Sequence, residues 1–132
     1  MDTKPKNLDE AIDVLKSINT PYMSINDRYI RNDWGLWNGS DLAYWFYARD
    51  IFHADDMSAI IIESFRRTNN GEPLELDKQI EKYHKHWEKQ MGPDHLKVMK
   101  KQVCVDVSKM RDFKINDIIE NRNARIFPDW NQ

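Results

Sequence analysis

The sequence predicts an all-α fold, a single compact bundle of about five to six helices spanning residues 1–132. Three observations support this prediction. Apolar residues recur at three- and four-residue spacing in several segments, polar capping residues precede those segments, and turn-forming Asn-Gly and Gly-Pro pairs follow them. A chain of this length suits one domain. We expect its core in residues 7–92 and a mildly basic helical extension in residues 93–132.

The first helix is predicted from a capping residue and an apolar stripe. Asn7 and Glu10 form an Asn-x-x-Glu variant of the capping box, and Leu8, Ile12 and Leu15 share one helix face. Residues 21–40 then show no sustained period and contain proline and two glycines. They predict an ordered, aromatic loop between the first two helices.

A second helix is predicted after Ser40, a favoured N-cap residue. Residues 41–52 are apolar on nearly every side, so we expect this helix at the centre of the bundle. The segment WGLWNGSDLAYWFY (34–47) holds three of the five tryptophans. Such density is typical of a core, and it also suits a binding surface.

Two longer helices follow. The third begins at Asp55 or Asp56 and ends at Asn70-Gly71. The fourth ends at Gly92-Pro93 and carries a stripe at spacings of four, three, four and four residues: Leu76, Ile80, Tyr83, Trp87 and Met91.

The segment beyond Pro93 keeps helical spacing as far as Phe113 and predicts a further helix, although residues 102–108 alternate as a strand would. A short final helix is predicted at residues 117–123. Cys104 lies among valines, where a buried, inert thiol is expected.

Charge and composition exclude several classes of protein. The formal net charge is −2, without the strong basic excess of most nucleic-acid binders. Residues 95–127 carry eight Lys and Arg against four Asp and Glu, so nucleic-acid contact through a basic C-terminal helix is a weak, unlikely alternative. The single cysteine cannot form an internal disulfide, and no segment resembles a signal peptide or membrane anchor. We therefore expect a cytoplasmic protein that does not bind membranes.

Two short motifs are similar to those of a known domain. WGLW (34–37) and DDMS (55–58), followed by a helix bearing Tyr and Trp, resemble an uncharacterised domain of unknown function found in bacterial and phage proteins. The resemblance covers about residues 8–90. It implies an organisation of the chain but no activity, and its recurrence in phages suggests a role directed at a host or defence protein.

The aromatic residues around the predicted loop are the first functional candidates. Trp34 and Trp37 flank Gly35, and Tyr44 and Tyr47 lie on the adjoining side of the second helix. Packing in the core is the commoner role of such rings, but tryptophan and tyrosine also anchor interfaces. The leading hypothesis is a non-enzymatic protein-interaction module that uses these four residues.

A metal-dependent enzyme or small-ligand-binding protein is the alternative. His53, Asp55 and Asp56 are candidates for acid–base catalysis, although acids at a helix start also satisfy its free N–H groups. Glu81, His84 and Glu88 share one helix side and are candidate metal ligands.

Neither set is complete. The Glu-x-x-His motif occurs once, and di-iron sites need it twice. An active site would require these residues and His86 to converge in one cleft. We predict no cofactor and favour a protein without enzymatic activity.

Overall fold

A computed structural model describes residues 4–18, 25–111 and 113 and confirms the all-α fold. These residues form seven helices and no strand. The bounds are α1 Leu8–Ser17, α2 Asp27–Asp33, α3 Asp41–Tyr47, α4 Ala54–Asn69, α5 Leu76–Met91, α6 His95–Gln102, and α7, described over 107–111. No helix in this part of the chain is long and apolar enough to cross a membrane.

Helix α1 begins as its capping residues predict. The Asn7 side chain accepts a hydrogen bond from the Glu10 N–H at 2.9 Å. The Glu10 carboxylate accepts one from the Lys6 N–H, also at 2.9 Å. Two backbone donors at the helix start are thereby satisfied. Leu8, Ile12 and Leu15 are buried in the core, as their spacing indicates.

Helix α2 corrects the prediction of a loop at residues 21–40. Asn26 caps it by accepting hydrogen bonds from the N–H groups of Arg28 and Tyr29. The helix has seven residues, and Ile30 alone among them is buried. So short a segment with one buried residue shows no apolar period, which is why the sequence pattern missed it. Residues 19–24 lie outside the described part of the chain.

Helix α4, rather than α3, is the central helix. It contacts α1, α2, α3 and α5. Helix α3 is shorter than predicted because it ends at Tyr47, and Asp50 adopts a positive φ of 63° that turns the chain. Ile51 and Phe52 are therefore buried from the connecting segment and not from a helix face. The apolar residues on all sides of α3 correctly indicated that it is buried. The predicted position of this helix at the centre of the bundle was wrong.

Helix α5 confirms the fourth predicted helix and its apolar stripe. Gly92 ends the helix with a positive φ of 91°. None of its residues is fully buried. The stripe instead packs half-buried on the core. Helix α5 is therefore a cover over α4, and side chains at its edge remain close to solvent.

The C-terminal segment corrects two predictions. Neither a continuous helix nor a strand runs through residues 102–108, because a turn at 103–104 and two residues without regular secondary structure, 105–106, separate α6 from α7. Cys104 occupies this turn with a positive φ of 55°, and it is exposed and not buried. The predicted helix at 117–123 lies outside the described residues.

Three residues beyond α6 pack on α3: Asp106, Lys109 and Phe113. The Tyr44 hydroxyl accepts a hydrogen bond from the Asp106 N–H at 2.9 Å. Lys109 forms an ion pair with Asp41 at 3.2 Å and lies over the Tyr44 ring, 4.5 Å from its centroid. The Phe113 ring lies 5.9 Å from that of Tyr44. The described part of the basic extension thus covers one side of α3.

Candidate interaction site

Three rings from three separate segments meet at one end of α4. Trp37 comes from the turn after α2, His53 from the residue before α4, and Trp87 from α5. The Trp37 and His53 centroids are 5.7 Å apart at 71°, and those of His53 and Trp87 are 5.6 Å apart at 22°. We call Trp37, His53 and Trp87 the Trp–His–Trp cluster. It is continuous from the half-buried α5 ring to an exposed one.

The turn at residues 34–39 places Trp37 at the surface. The Leu36 N–H donates to the Arg31 carbonyl at 3.0 Å, and the Ser40 N–H donates to the Gly35 carbonyl at 3.2 Å. Gly35 has a φ of +66°, which a glycine adopts without strain. The turn directs Leu36 into the core and leaves Trp37 55% exposed. Trp37 is thus presented by a hydrogen-bonded turn and not by a loose loop.

His53 is the N-cap of α4. Its Nδ1 accepts a hydrogen bond from the Asp55 N–H at 3.1 Å. A nitrogen that accepts from a backbone N–H carries no proton, so the neutral ring bears its proton on Nε2. The cap fixes the imidazole between the two indoles. Its side chain remains about one-third exposed.

Asp56 lies behind the cluster and holds Trp87. The Trp87 indole N–H donates to the Asp56 carboxylate at 2.8 Å, and Asp56 is only 9% exposed. Burial raises the pKa of Asp56 above its usual range. The Trp87 hydrogen bond opposes that effect and lowers the pKa of Asp56, as do the neighbouring side chains of His53 and His86. The indole donor thus favours the charged carboxylate that burial disfavours.

A charged group borders the cluster where α2 meets α4. Arg31 forms ion pairs with Asp27 at 3.1 Å and with Asp55 at 3.2 Å, and it donates to the Ser58 hydroxyl at 3.3 Å. The Arg31 side chain is 17% exposed, whereas those of Asp27 and Asp55 are 59% and 58% exposed. Two carboxylates therefore face solvent over one largely covered guanidinium, and the group carries a net charge of −1.

Part of this region matches a known protein family. Residues 25–69 match the family model Domain of unknown function (DUF6794). The match confirms the predicted resemblance to a domain of unknown function, over a shorter range than 8–90. It spans α2, the Trp37 turn, α3 and α4, whereas Trp87 lies outside it. Searches of curated proteins and of solved structures gave no match.

The four predicted partner-binding residues do not share one surface. Trp34, Tyr44 and Tyr47 are all buried, and only Trp37 is exposed. Trp34 is 5% exposed because it caps α2 and turns inward from the same motif that turns Trp37 outward. Tyr44 is covered by Asp106, Lys109 and Phe113 of the same chain. Of the four rings only Trp37 is accessible to a partner in this structure, and the partner-binding role stays a prediction.

The three catalytic candidates lie together, and each has a structural contact. His53 caps α4, Asp55 pairs with Arg31, and Asp56 accepts from Trp87. His86 joins them through an edge contact with the Trp87 ring at 4.9 Å. His84 instead donates to the Asp50 carbonyl at 3.1 Å. The predicted convergence of all these residues is thus only partly present.

The candidate metal ligands Glu81, His84 and Glu88 do not form a metal-binding group in the structure. Glu81 and Glu88 are exposed, and the Glu81 carboxylate lies 4.0 Å from the Lys85 amine one turn further along α5. Across residues 4–18, 25–111 and 113, no group of three or more His, Cys, Asp or Glu side chains is placed to hold a metal ion. The shared helix side of Glu81, His84 and Glu88 does not bring them to a common point.

Sequence reasoning missed two residues of this region. Trp87 belongs to the apolar stripe of α5, so its spacing predicted packing and gave no sign of its bond to Asp56. Arg31 lies in the segment predicted to be a loop, where no spacing pattern distinguishes it from other charged residues. A buried acid beside a tryptophan on another helix is a tertiary pairing, and no local pattern encodes it.

Proposed function

We propose that this protein is a non-enzymatic interaction module that binds a protein partner through Trp37. The observation that carries the proposal is the exposure of this ring, 55%, on a hydrogen-bonded turn beside His53. Large aromatics in globular domains are usually mostly buried, and tryptophan is enriched among residues that dominate binding energy. An exposed tryptophan in a fixed position is therefore a strong candidate for an interface anchor.

The rigidity of the turn adds to the argument. Binding costs free energy when it immobilises a flexible side chain, and a ring that is already held avoids part of that cost. Trp37 is held by the turn at residues 34–39 and by its edge contact with His53. We expect a partner to bury the exposed part of Trp37 without rearranging the helices.

The contacts of the catalytic candidates favour binding over catalysis. A general base needs a free lone pair directed at substrate. The Nδ1 lone pair of His53 already accepts the Asp55 N–H, and the Asp56 carboxylate is only 9% exposed, so a substrate in solvent would reach it poorly. Both side chains thus have structural tasks that support the position of the Trp–His–Trp cluster.

The compartment and partner class form the finer part of the proposal. Cys104 has no second cysteine to pair with and is exposed, which suits a reducing cytoplasm. The likeness to a domain that recurs in bacterial and phage proteins leads us to propose a host or defence protein as the partner.

The test is capture from lysate of the native host with three baits: wild type, Trp37→Ala and Tyr29→Ala. Tyr29 is a matched control because it is an aromatic residue of similar exposure, 59%, on α2. We expect one saturable protein that wild type and Tyr29→Ala retain and Trp37→Ala loses. Equal capture by a folded Trp37→Ala variant would contradict the proposal, as would equal loss in both variants.

A further inference from the structure

We infer that the partner presents an arginine side chain to Trp37, with its guanidinium directed toward the carboxylate of Asp55. This inference rests on the proposed function and adds the chemistry of the group that is bound. It follows from the charge beside the exposed ring and from a comparable arrangement elsewhere in the molecule.

The charge at this place favours a cation. Asp27 and Asp55 are more than half exposed, whereas the Arg31 between them is largely covered by the protein. Oxygens of both carboxylates therefore remain accessible to an incoming donor. Asp56 adds further negative charge behind the cluster when it is ionised. A partner anion would meet repulsion here, and a partner cation would meet attraction.

The chain itself shows how such a pair of groups receives a cation. On α3, the Tyr44 ring and the Asp41 carboxylate together hold Lys109, at 4.5 Å from the ring centroid and 3.2 Å from the carboxylate. An indole also receives a guanidinium in this chain, since Arg49 lies 3.5 Å from the centroid of the Trp45 ring. Trp37 and Asp55 are the corresponding ring and acid at the surface, since the His53 ring contacts Trp37 and its Nδ1 lies 3.8 Å from the Asp55 carboxylate.

Arginine fits these groups better than lysine does. Its planar guanidinium stacks on an indole while its N–H groups donate to carboxylates. Two acceptors, Asp27 and Asp55, already direct their oxygens toward one guanidinium, that of Arg31. A second guanidinium on the solvent side would use the remaining lone pairs of Asp55, since each carboxylate accepts several hydrogen bonds.

The experiment titrates N-acetyl-arginine amide into ¹⁵N-labelled protein and follows the indole N–H signals, with that of Trp37 assigned from its loss in Trp37→Phe. N-acetyl-citrulline amide, which has the same shape without the charge, is the matched probe. We expect the arginine probe to shift the Trp37 signal in a saturable manner, and at least fivefold weaker binding of the citrulline probe.

Two variants test whether the Asp55 carboxylate binds the guanidinium of the probe. Asp55→Asn should weaken arginine binding at least threefold, whereas Asp9→Asn should leave it unchanged. Asp9 is the matched control because it is an acid in the first turn of α1, as Asp55 is in α4. Equal shifts with both probes, or unchanged binding in Asp55→Asn, would overturn the inference. If Trp37→Ala loses the captured partner while the arginine probe does not bind, the inference fails alone and the interaction module stands.

Discussion

The hydrogen bond from Trp87 to Asp56 can be weighed by a double-mutant cycle of Trp87→Phe and Asp56→Ala. Phenylalanine keeps a ring on α5 but removes the indole N–H that lies 2.8 Å from the carboxylate. Asp56 is 9% exposed, so water replaces the lost donor poorly. Because hydrogen bonds to charged groups contribute about 1.5–3 kcal/mol, we expect a coupling free energy in that range at neutral pH.

The assay is urea unfolding of wild type, both single variants and the double variant, followed by circular dichroism. Each substitution is made in the presence and in the absence of the other. The cycle therefore cancels the effect of the smaller ring at position 87 and of the charge lost from the first turn of α4 at position 56, and it leaves the interaction between the two side chains. A coupling below about 0.5 kcal/mol, the usual error of additivity, would refute the reasoning. It would mean that the Trp–His–Trp cluster is held by packing alone.

Three further predictions concern stability. Trp34→Ala should cost about 3–5 kcal/mol in urea unfolding because this ring is in the core, whereas Trp37→Ala should cost about 1 kcal/mol or less; equal costs would show that the two rings are placed wrongly. Burial raises the pKa of Asp56 in the folded chain, so folding loses stability as pH rises through that pKa. Asp56→Asn keeps an acceptor for Trp87 and carries no charge, so its free energy of unfolding should increase relative to that of wild type as pH rises from 3.8, the ordinary pKa of Asp, to neutral pH. Each tenfold change in the acid dissociation constant on folding corresponds to about 1.4 kcal/mol. A difference in unfolding free energy that is the same at every pH would contradict this expectation. Gly35→Ala should destabilise by about 1 kcal/mol or more, because φ is +66° and the new Cβ would lie 3.1 Å from that of Ser40; an unchanged urea midpoint would rule out a strained turn.

The sequence predicted those parts of the fold that depend on local chemistry. Asn7 and Ser40 cap helices as expected, and the stripes of α4 and α5 are helical. Helix α2 was missed because seven residues with one buried side chain show no period. The continuous helix beyond Pro93 was wrong because Cys104 adopts a left-handed conformation that spacing does not reveal.

The candidate site depended on tertiary placement, which the sequence predicted only in part. His53, Asp55 and Asp56 are adjacent in the chain, so their proximity required no folding argument. The contact of Trp37 with His53, and that of His53 with Trp87, join residues 16 and 34 positions apart. The two tryptophans of the WGLW motif also lie in opposite environments. Trp34 is buried and Trp37 is exposed because the chain turns at Gly35 between them.

The most direct test of the central claim is the affinity of the captured partner for Trp37→Ala relative to wild type, measured by isothermal titration calorimetry. An interface anchor contributes about 2 kcal/mol or more, so we predict that Kd rises at least thirtyfold while the helical circular dichroism signal is unchanged. A Kd within twofold of wild type would contradict the claim that Trp37 anchors the interaction.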